Sequence, residues 1–349
     1  MKHFRKIAAT VLSLCLLMSL FACSSKPIEE TAPNNSANQN QTSQGGGGGD
    51  VSSLKVATLV PGSVTDGGFC QLGAEATQAV ADQLGCEAVT IEASTADKMK
   101  TEAETLAEEG YDIIFGHGGQ YASPFAEISG DYPDTWFITV GGTEVTENQF
   151  PLNITFEEST YVAGVVAGMM TQSNKIGMLV GGDFPSYTKT TRAMELGAKS
   201  VNDAIECMFA VLTNIDMNEA YETSTNQINS GADVIFSNAN EGSLGSIKAA
   251  VDNDIYCIGA LADYSMEAPE NCLLSCICDY NIAYVAAVEA VAEGIEKSDF
   301  MFIGMSDGAV RLVWNEALKG QIPQEVIDAA DDTIEKIKSG EIDVPNEYE

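Results

Sequence analysis

Two rhythms of apolar residues alternate along most of this chain. From Leu54 onward, short β-branched runs are followed by longer stretches in which apolar positions recur every three or four residues. LKVATLV precedes QLGAEATQAVADQLG, where Leu72, Ala76, Val80 and Leu84 share one helical face. EAVTIEA precedes STADKMKTEAETLAEEG, where Ser94 and Asp97 predict a capping box and Gly110 a stop. YDIIFG, a helical stretch through PFAEIS, and TWFITVG continue the pattern. EESTYVAGVVAGMMT predicts a helix whose Gly164 and Gly168 permit close helix packing. The alternation then restarts: KIGMLVG, a helix over TTRAMELGAKSV, CMFAVL, a helix over NEAYETSTNQINSG, DVIFSN, the helix LGSIKAAVDN, IYCIGA and NCLLSC. Residues 54–156 and 174–279 thus repeat a plan without repeating a sequence. Strands joined through helices imply parallel sheets covered on both faces, hence two α/β lobes. The tail holds NIAYVAAVEAVAEGI, FMFIGM, GAVRLVW and a last helix from Pro323 to Gly340. It is too short for a third domain and is expected to complete both lobes by crossing between them.

The remainder of the 349 residues changes this picture at the amino terminus. MKHFR is a basic leader and IAATVLSLCLLMSLFA an apolar run too short for an ordinary membrane span. It ends in Leu20-Phe21-Ala22-Cys23, which resembles a bacterial lipobox, so residues 1–22 read as a lipoprotein signal and Cys23 as the lipid-bearing residue. Acyl chains contribute about 0.8 kcal/mol per buried methylene, which would hold the protein at a membrane. Residues 23–53, rich in Ser, Asn, Gln and Gly, read as a flexible tether with a root-mean-square reach of roughly 30 Å. The boundaries that follow are a first lobe over 54–157 and a second over 158–279, each completed by part of 280–349.

Charge and cysteines narrow the function classes. With 17 basic and 51 acidic residues the formal charge is −34, which argues against a nucleic-acid partner and for a well-solvated surface. Of nine cysteines, seven remain beyond Cys15 and Cys23. Their odd number and irregular spacing make a poor disulfide framework. Cys276 and Cys278 share one face of a strand, and the cluster with Cys272 reads as small buried hydrophobes rather than a metal site.

In open α/β sheets ligands bind at the carboxyl ends of strands. Those ends here carry PGSVTDGGFCQ, HGGQYAS and GTEVT in the first lobe, and GGDFPSY, TNIDM, NANEGSLG, LADYS and ICDY in the second. They combine glycines for close backbone approach, hydrogen-bonding side chains and aromatic rings, as a cleft for a small molecule requires. Gly67 and Gly68 would present Phe69 there as a platform for a flat ligand; otherwise Phe69 packs on its own helix. There is no GxGxxG after the first strand, no phosphate-binding GxxxxGK[ST] and no GxSxG elbow. His117 is the sole histidine beyond the leader, so a His-based metal site is excluded, and His117 orders a loop or touches ligand. Pairs such as Glu157-Glu158 and Asp331-Asp332 are read as solvated faces. No cofactor and no catalysis are expected.

Taken in order, LKVATLVPGSVTDGGFCQLG, EEGYDIIFGHGGQYASPFAEISGDYPDTWFITVGG, NITFEESTYVAGVVAGMMT, KIGMLVGGDFP, GADVIFSNANEGSLG and YCIGALADYS resemble the basic membrane protein family of bacterial surface lipoproteins, from about Leu54 to Pro345. These are substrate-binding proteins of ABC importers that include purine nucleoside receptors. The resemblance implies a type I periplasmic-binding-protein fold, with two lobes, a hinge of crossing segments and a ligand enclosed on closure. It also implies site positions. Asp66 and the stacking Phe69 are kept, while the base-reading Asn is replaced by Cys70. An acidic base contact falls near Ser123, a second aromatic near Ile215, and a ribose contact at Glu241-Gly242. The ribose-binding Asp and Lys of the family fall on Leu261 and Cys278, with Asp263 two residues beyond the former. The resulting ligand shell is Asp66, Phe69, Cys70, Gln71, His117, Gln120, Ser123, Asp183, Asn238, Glu241, Gly242 and Asp263. The expectation is a monomeric, lipid-anchored receptor on the extracytoplasmic face, delivering a nucleoside, nucleobase or related flat solute to an ABC permease. The alternatives are a sensor of the same fold that feeds a membrane signalling protein, and a surface hydrolase using His117.

Overall fold

The computed structural model describes residues 50–65, 68–183, 185–295 and 299–346. The leader, Cys23, most of the tether, Asp66 and Gly67 therefore lie outside the described residues. The pattern of short apolar runs becomes two six-stranded sheets. The first contains β1 (Lys55–Val60), β2 (Glu87–Glu92), β3 (Ile113–Gly116), β4 (Trp136–Val140), β5 (Gln149–Ile154) and β11 (Met301–Ile303), in the order β11-β5-β4-β3-β1-β2 and parallel throughout. The second contains β6 (Lys175–Val180), β7 (Glu206–Val211), β8 (Val234–Asn238), β9 (Tyr256–Ala260), β10 (Cys272–Cys278) and β12 (Val310–Trp314), in the order β12-β10-β9-β8-β6-β7. Only β12 runs antiparallel to its neighbour.

Helices cover both faces of each sheet. In the first lobe, α1 (Phe69–Leu84) and α8 (Tyr280–Glu293) close one face, burying Ala76, Val80, Ala283 and Val288 with Phe115 and Ile138. On the other face, α2 (Ala96–Glu108) and α3 (Ala122–Ile128) contribute Met99, Leu106 and Phe125. In the second lobe, α4 (Glu157–Met170), α5 (Pro185–Val201) and α10 (Gln324–Lys338) bury Val162, Met194 and Val326 against Ile176, Phe236 and Ile258. The opposite face is closed by α6 (Met217–Asn229) and α7 (Ser243–Asp252), through Ala220 and Ile247. Among the described residues no helix is long and apolar enough to cross a membrane.

Two expectations shift. The cap of α2 is Thr95, whose hydroxyl accepts from the Lys98 N–H, so the start lies one residue past Ser94. The pattern also gave no strand at Gln149–Ile154, where Pro151 argues against one. The strand survives because β11 pairs only with Leu152, Asn153 and Ile154, beyond the proline.

Three segments carry the chain between the sheets: residues 155–156 from β5 into α4, residue 279 from β10 into α8, and residues 304–309 from β11 into β12. They are bonded to one another. The Thr155 N–H donates to the Ile303 carbonyl at 3.0 Å, and the Asp279 N–H donates to the Ala309 carbonyl at 2.6 Å. The Met305 N–H donates to the Glu158 carboxylate at 2.6 Å. Together they form the hinge of a type I periplasmic-binding-protein fold.

Gly164 and Gly168 do serve close packing. A Cβ on Gly164 would run into the Met194 carbonyl of α5, and one on Gly168 would lie 2.9 Å from the Ala198 carbonyl oxygen. In an unhindered helix Gly→Ala is stabilising, by about 0.5–1 kcal/mol. Gly164→Ala is expected to do the opposite, destabilising by about 1–3 kcal/mol through overpacking, read as a lower urea midpoint. A midpoint equal to or above that of the wild type would contradict the α4–α5 contact.

Candidate functional site

In both sheets the strand order reverses beside the first strand of the lobe, between β1 and β3 and between β6 and β8. Such switch points open a crevice at the carboxyl ends of the strands. Phe69 opens α1 immediately after β1, and His117 follows β3, so the two meet at the first crevice. Their rings stack with centroids 3.9 Å apart and planes 27° apart. Phe69 remains partly exposed, whereas His117 is fully buried.

His117 is held from both ring nitrogens. Nε2 lies 2.7 Å from the Phe69 carbonyl oxygen, which can only accept, so this nitrogen carries the proton. Nδ1 lies 2.7 Å from the Tyr284 hydroxyl of α8. Tyr284 in turn stacks on Phe115 of β3, centroids 4.2 Å apart. Room for the imidazole comes from α1 itself: a Cβ on Gly73 would sit 2.8 Å from the His117 ring. The histidine thus orders the crevice beneath the Phe69 ring.

Tyr280, at the start of α8 and directly after a crossing, meets Phe69 edge-on with centroids 6.0 Å apart. Its hydroxyl lies beside the Cys278 thiol. Burial raises the Tyr280 hydroxyl pKa well above the phenol range, reinforced by Cys278, Tyr284 and by Tyr187 of α5. Tyr187 lies across the crevice in the second lobe, where its hydroxyl bonds to the Asn240 side chain near Glu241. Phe69, Tyr280 and Tyr187 therefore line the passage from the first lobe to the second through the hinge.

The remaining expected residues distribute unevenly. Cys70 is buried beneath Gly62, and Gln71 bonds to Glu75 on the helix surface. Gln120, Ser123, Asp183 and Glu241 are exposed at strand ends, Gly242 is buried at the turn into α7, and Asn238 ends β8 in a buried position. Asp263 is exposed and its carboxylate accepts from the Ser265 N–H at 2.9 Å. Leu261, where the family's ribose carboxylate would fall, takes a left-handed backbone, φ 69°. Burial pushes the Cys278 and Cys276 thiols up to about 12, consistent with packing rather than reactivity. Among the described residues no cluster of metal-ligating side chains forms.

The solvated-face reading of Glu157-Glu158 fails. Glu158 holds the third crossing through Met305, and its carboxyl is raised by burial. Glu157, the first residue of α4, is only 5% exposed, and desolvation pushes its pKa up to about 7 against the opposing pull of Lys189. Glu157, Tyr187 and Tyr280 escaped sequence reasoning because each is an ordinary residue at a helix start. Only the position of two of those starts, α4 and α8, directly after crossings marks Glu157 and Tyr280.

The whole globular part matches the model of one family, described as ABC transporter substrate-binding protein PnrA-like, over residues 53–348. The chain belongs to the Bmp family. It is 30% identical over 309 residues to a putative ABC transporter glucose-binding protein of Haloferax volcanii, covering 87% of this chain and 77% of that one. It is 26% identical over 294 residues to a purine-binding protein of Brucella abortus, covering 83% and 82% of the two chains. Among solved structures, an ABC transporter solute-binding protein from Conexibacter woesei superposes with a TM-score of 0.69 at 22% identity, over 85% of this chain and 100% of that one, which supports the fold of this Bmp protein.

Glu157 makes a measurable prediction. Below about pH 4.5 its carboxyl is protonated in the folded and unfolded chains alike and contributes nothing to pH dependence. Between 4.5 and about 7 the unfolded chain releases the proton first, so stability falls as pH rises; above 7 the cost is complete. Charges acting on Glu157 are Lys189 of α5 and the adjacent Glu158, and the Cys278 thiol lies beside it. Glu157→Gln should therefore gain stability over wild type progressively from pH 5 to 7, with a slope of at most about 1.4 kcal/mol per pH unit. Parallel melting curves for the two proteins across that range would rule out the buried, proton-holding carboxyl.

Proposed function

We propose that this Bmp protein is a lipid-anchored extracytoplasmic receptor that captures a nucleoside-like or other flat heterocyclic solute between its lobes and presents it to an ABC permease. The observation that carries this reading is the Phe69 ring: backed by a buried, doubly bonded histidine at a strand-end crevice, and still partly exposed. A ring fixed on one face and open elsewhere suits stacking on a planar ligand, and such base–aromatic contacts contribute about 1–3 kcal/mol. Tyr280 and Tyr187 extend the aromatic surface toward the second lobe. The purine-binding relative in Brucella abortus supports the flat-ligand class. Ligand that bridges the lobes favours the closed form by its differential affinity for it, and closure is the signal the permease reads. Cys23 supplies the anchor and residues 24–53 the reach.

The test is a thermal-shift screen of the protein against nucleosides, nucleobases, sugars and amino acids, followed by calorimetry on the strongest binder. A planar heterocycle should raise the melting temperature, and Phe69→Ala should weaken its binding by at least about 1 kcal/mol. Unchanged affinity in the variant removes the platform from the account.

A further inference from the structure

In the second lobe a helix carries the chain from β6 to β7, from β7 to β8 and from β8 to β9, but residues 261–271 run from β9 to the parallel β10 with no helix among them. Parallel strands ordinarily need a helix for this crossover, which also covers the sheet. Here a small cluster does the covering. Tyr264 and Ala268 of the segment pack with Ile247 and Ala250 of α7. Two fully buried thiols complete the cluster, Cys257 of β9 and Cys272 of β10.

The sheet register sets those thiols opposite one another. Cys272 pairs with Cys257 across the two parallel strands, and the Cys257 N–H donates to the Asn271 carbonyl at 2.9 Å. Neighbouring strands lie about 4.8 Å apart, inside the Cα–Cα separation of about 4.4–6.8 Å that a disulfide spans. Both side chains leave the same face of the sheet, since both enter the one cluster. No other strand cysteine among the described residues is set opposite a thiol: Cys207 pairs with Ile176, Cys276 with Ala260 and Leu312, and Cys278 with Val310. The pair is also chemically unequal. The Cys257 thiol lowers the Cys272 pKa against the cost of burial, aided by the Ser275 hydroxyl 3.7 Å away, while Cys257 itself is raised by Cys272 and by desolvation. Cys272 is thus the sulfur that ionises first, and the thiolate is the nucleophile in disulfide exchange.

We propose that Cys257 and Cys272 are the site of an intramolecular disulfide that closes residues 257–272 into a loop. Both are free thiols in the structure. The oxidant is an external disulfide, of a small thiol or of a protein, as oxidising compartments supply. The Cys272 thiolate attacks one sulfur of that disulfide and expels the other as a thiolate. Cys257, on losing its proton, attacks the Cys272 sulfur of the mixed disulfide and expels the second external thiolate. Two electrons pass from the pair to the oxidant, and the two protons end on the released thiols. Because both sulfurs are buried, the exchange takes place while the segment is open, before the cluster has closed over them. The bond replaces the helix that this crossover lacks, by limiting the freedom of the unfolded segment that carries Leu261 and Asp263. An extracytoplasmic location, as proposed above, would supply the oxidant; the bond does not depend on which ligand the crevice takes.

The test unfolds the full-length protein and refolds it in parallel with oxidised glutathione and with dithiothreitol. Free thiols of each product are alkylated in denaturant, and both are digested without reduction for peptide mass spectrometry. The oxidised product should yield the Cys257 peptide linked to the Cys272 peptide, lighter than their sum by two hydrogens, with Cys70, Cys86, Cys207, Cys276 and Cys278 unlinked to one another. It should also melt at least about 4 °C above the reduced product. Cys257→Ala and Cys272→Ala should each erase that difference, and Cys276→Ala should retain it. Where a variant fails to fold, the wild-type peptide map and melting difference decide alone. Absence of the linked peptides, a link through another cysteine of the globular part, or equal melting temperatures for the two products overturns the proposal. Every outcome is read without ligand, so a failed solute screen would leave it standing.

Discussion

One fully buried imidazole ties the front of the first lobe together. His117 hydrogen-bonds the Tyr284 hydroxyl through Nδ1, donates to the Phe69 carbonyl through Nε2 and lies flat against the Phe69 ring. It thereby joins the end of β3, the start of α1 and the body of α8, three elements far apart in sequence. The arrangement has a steric condition, the absent side chain of Gly73. Because α8 enters from a crossing segment, the same histidine couples the aromatic platform to the hinge.

The hinge is where the chain concentrates polar burial. Glu158 accepts from the Met305 N–H, while desolvation pushes the pKa of Glu157 beside it up to about 7. A buried acid of this kind is costly in an empty protein, and surfaces at functional sites more often than in cores.

Much of the architecture was legible in the order of apolar runs. Both lobes, nearly every helix and the close contact at Gly164 and Gly168 follow from periodicity and glycine placement. Strand β5 did not, since Pro151 reads as a breaker unless the edge strand is known to pair only beyond it. The site was legible in part. Phe69 stands out because two glycines precede it after a strand, and His117 because it stands alone. Glu157 was indistinguishable from dozens of other acidic residues, since burial is decided by α5 and β10, distant in sequence. Tyr280 gains its meaning only from the crossing that leads into α8, and Tyr187 only from the proximity that lets it act on Tyr280.

A crystal structure of the protein with the ligand that gives the largest thermal shift tests the central claim most directly. The account predicts the planar part of that ligand in stacking contact with Phe69, on the face away from His117, with Tyr187 of the second lobe closing over it. A ligand bound away from Phe69, or a Phe69 ring that has left His117 to pack within the lobe, would contradict it.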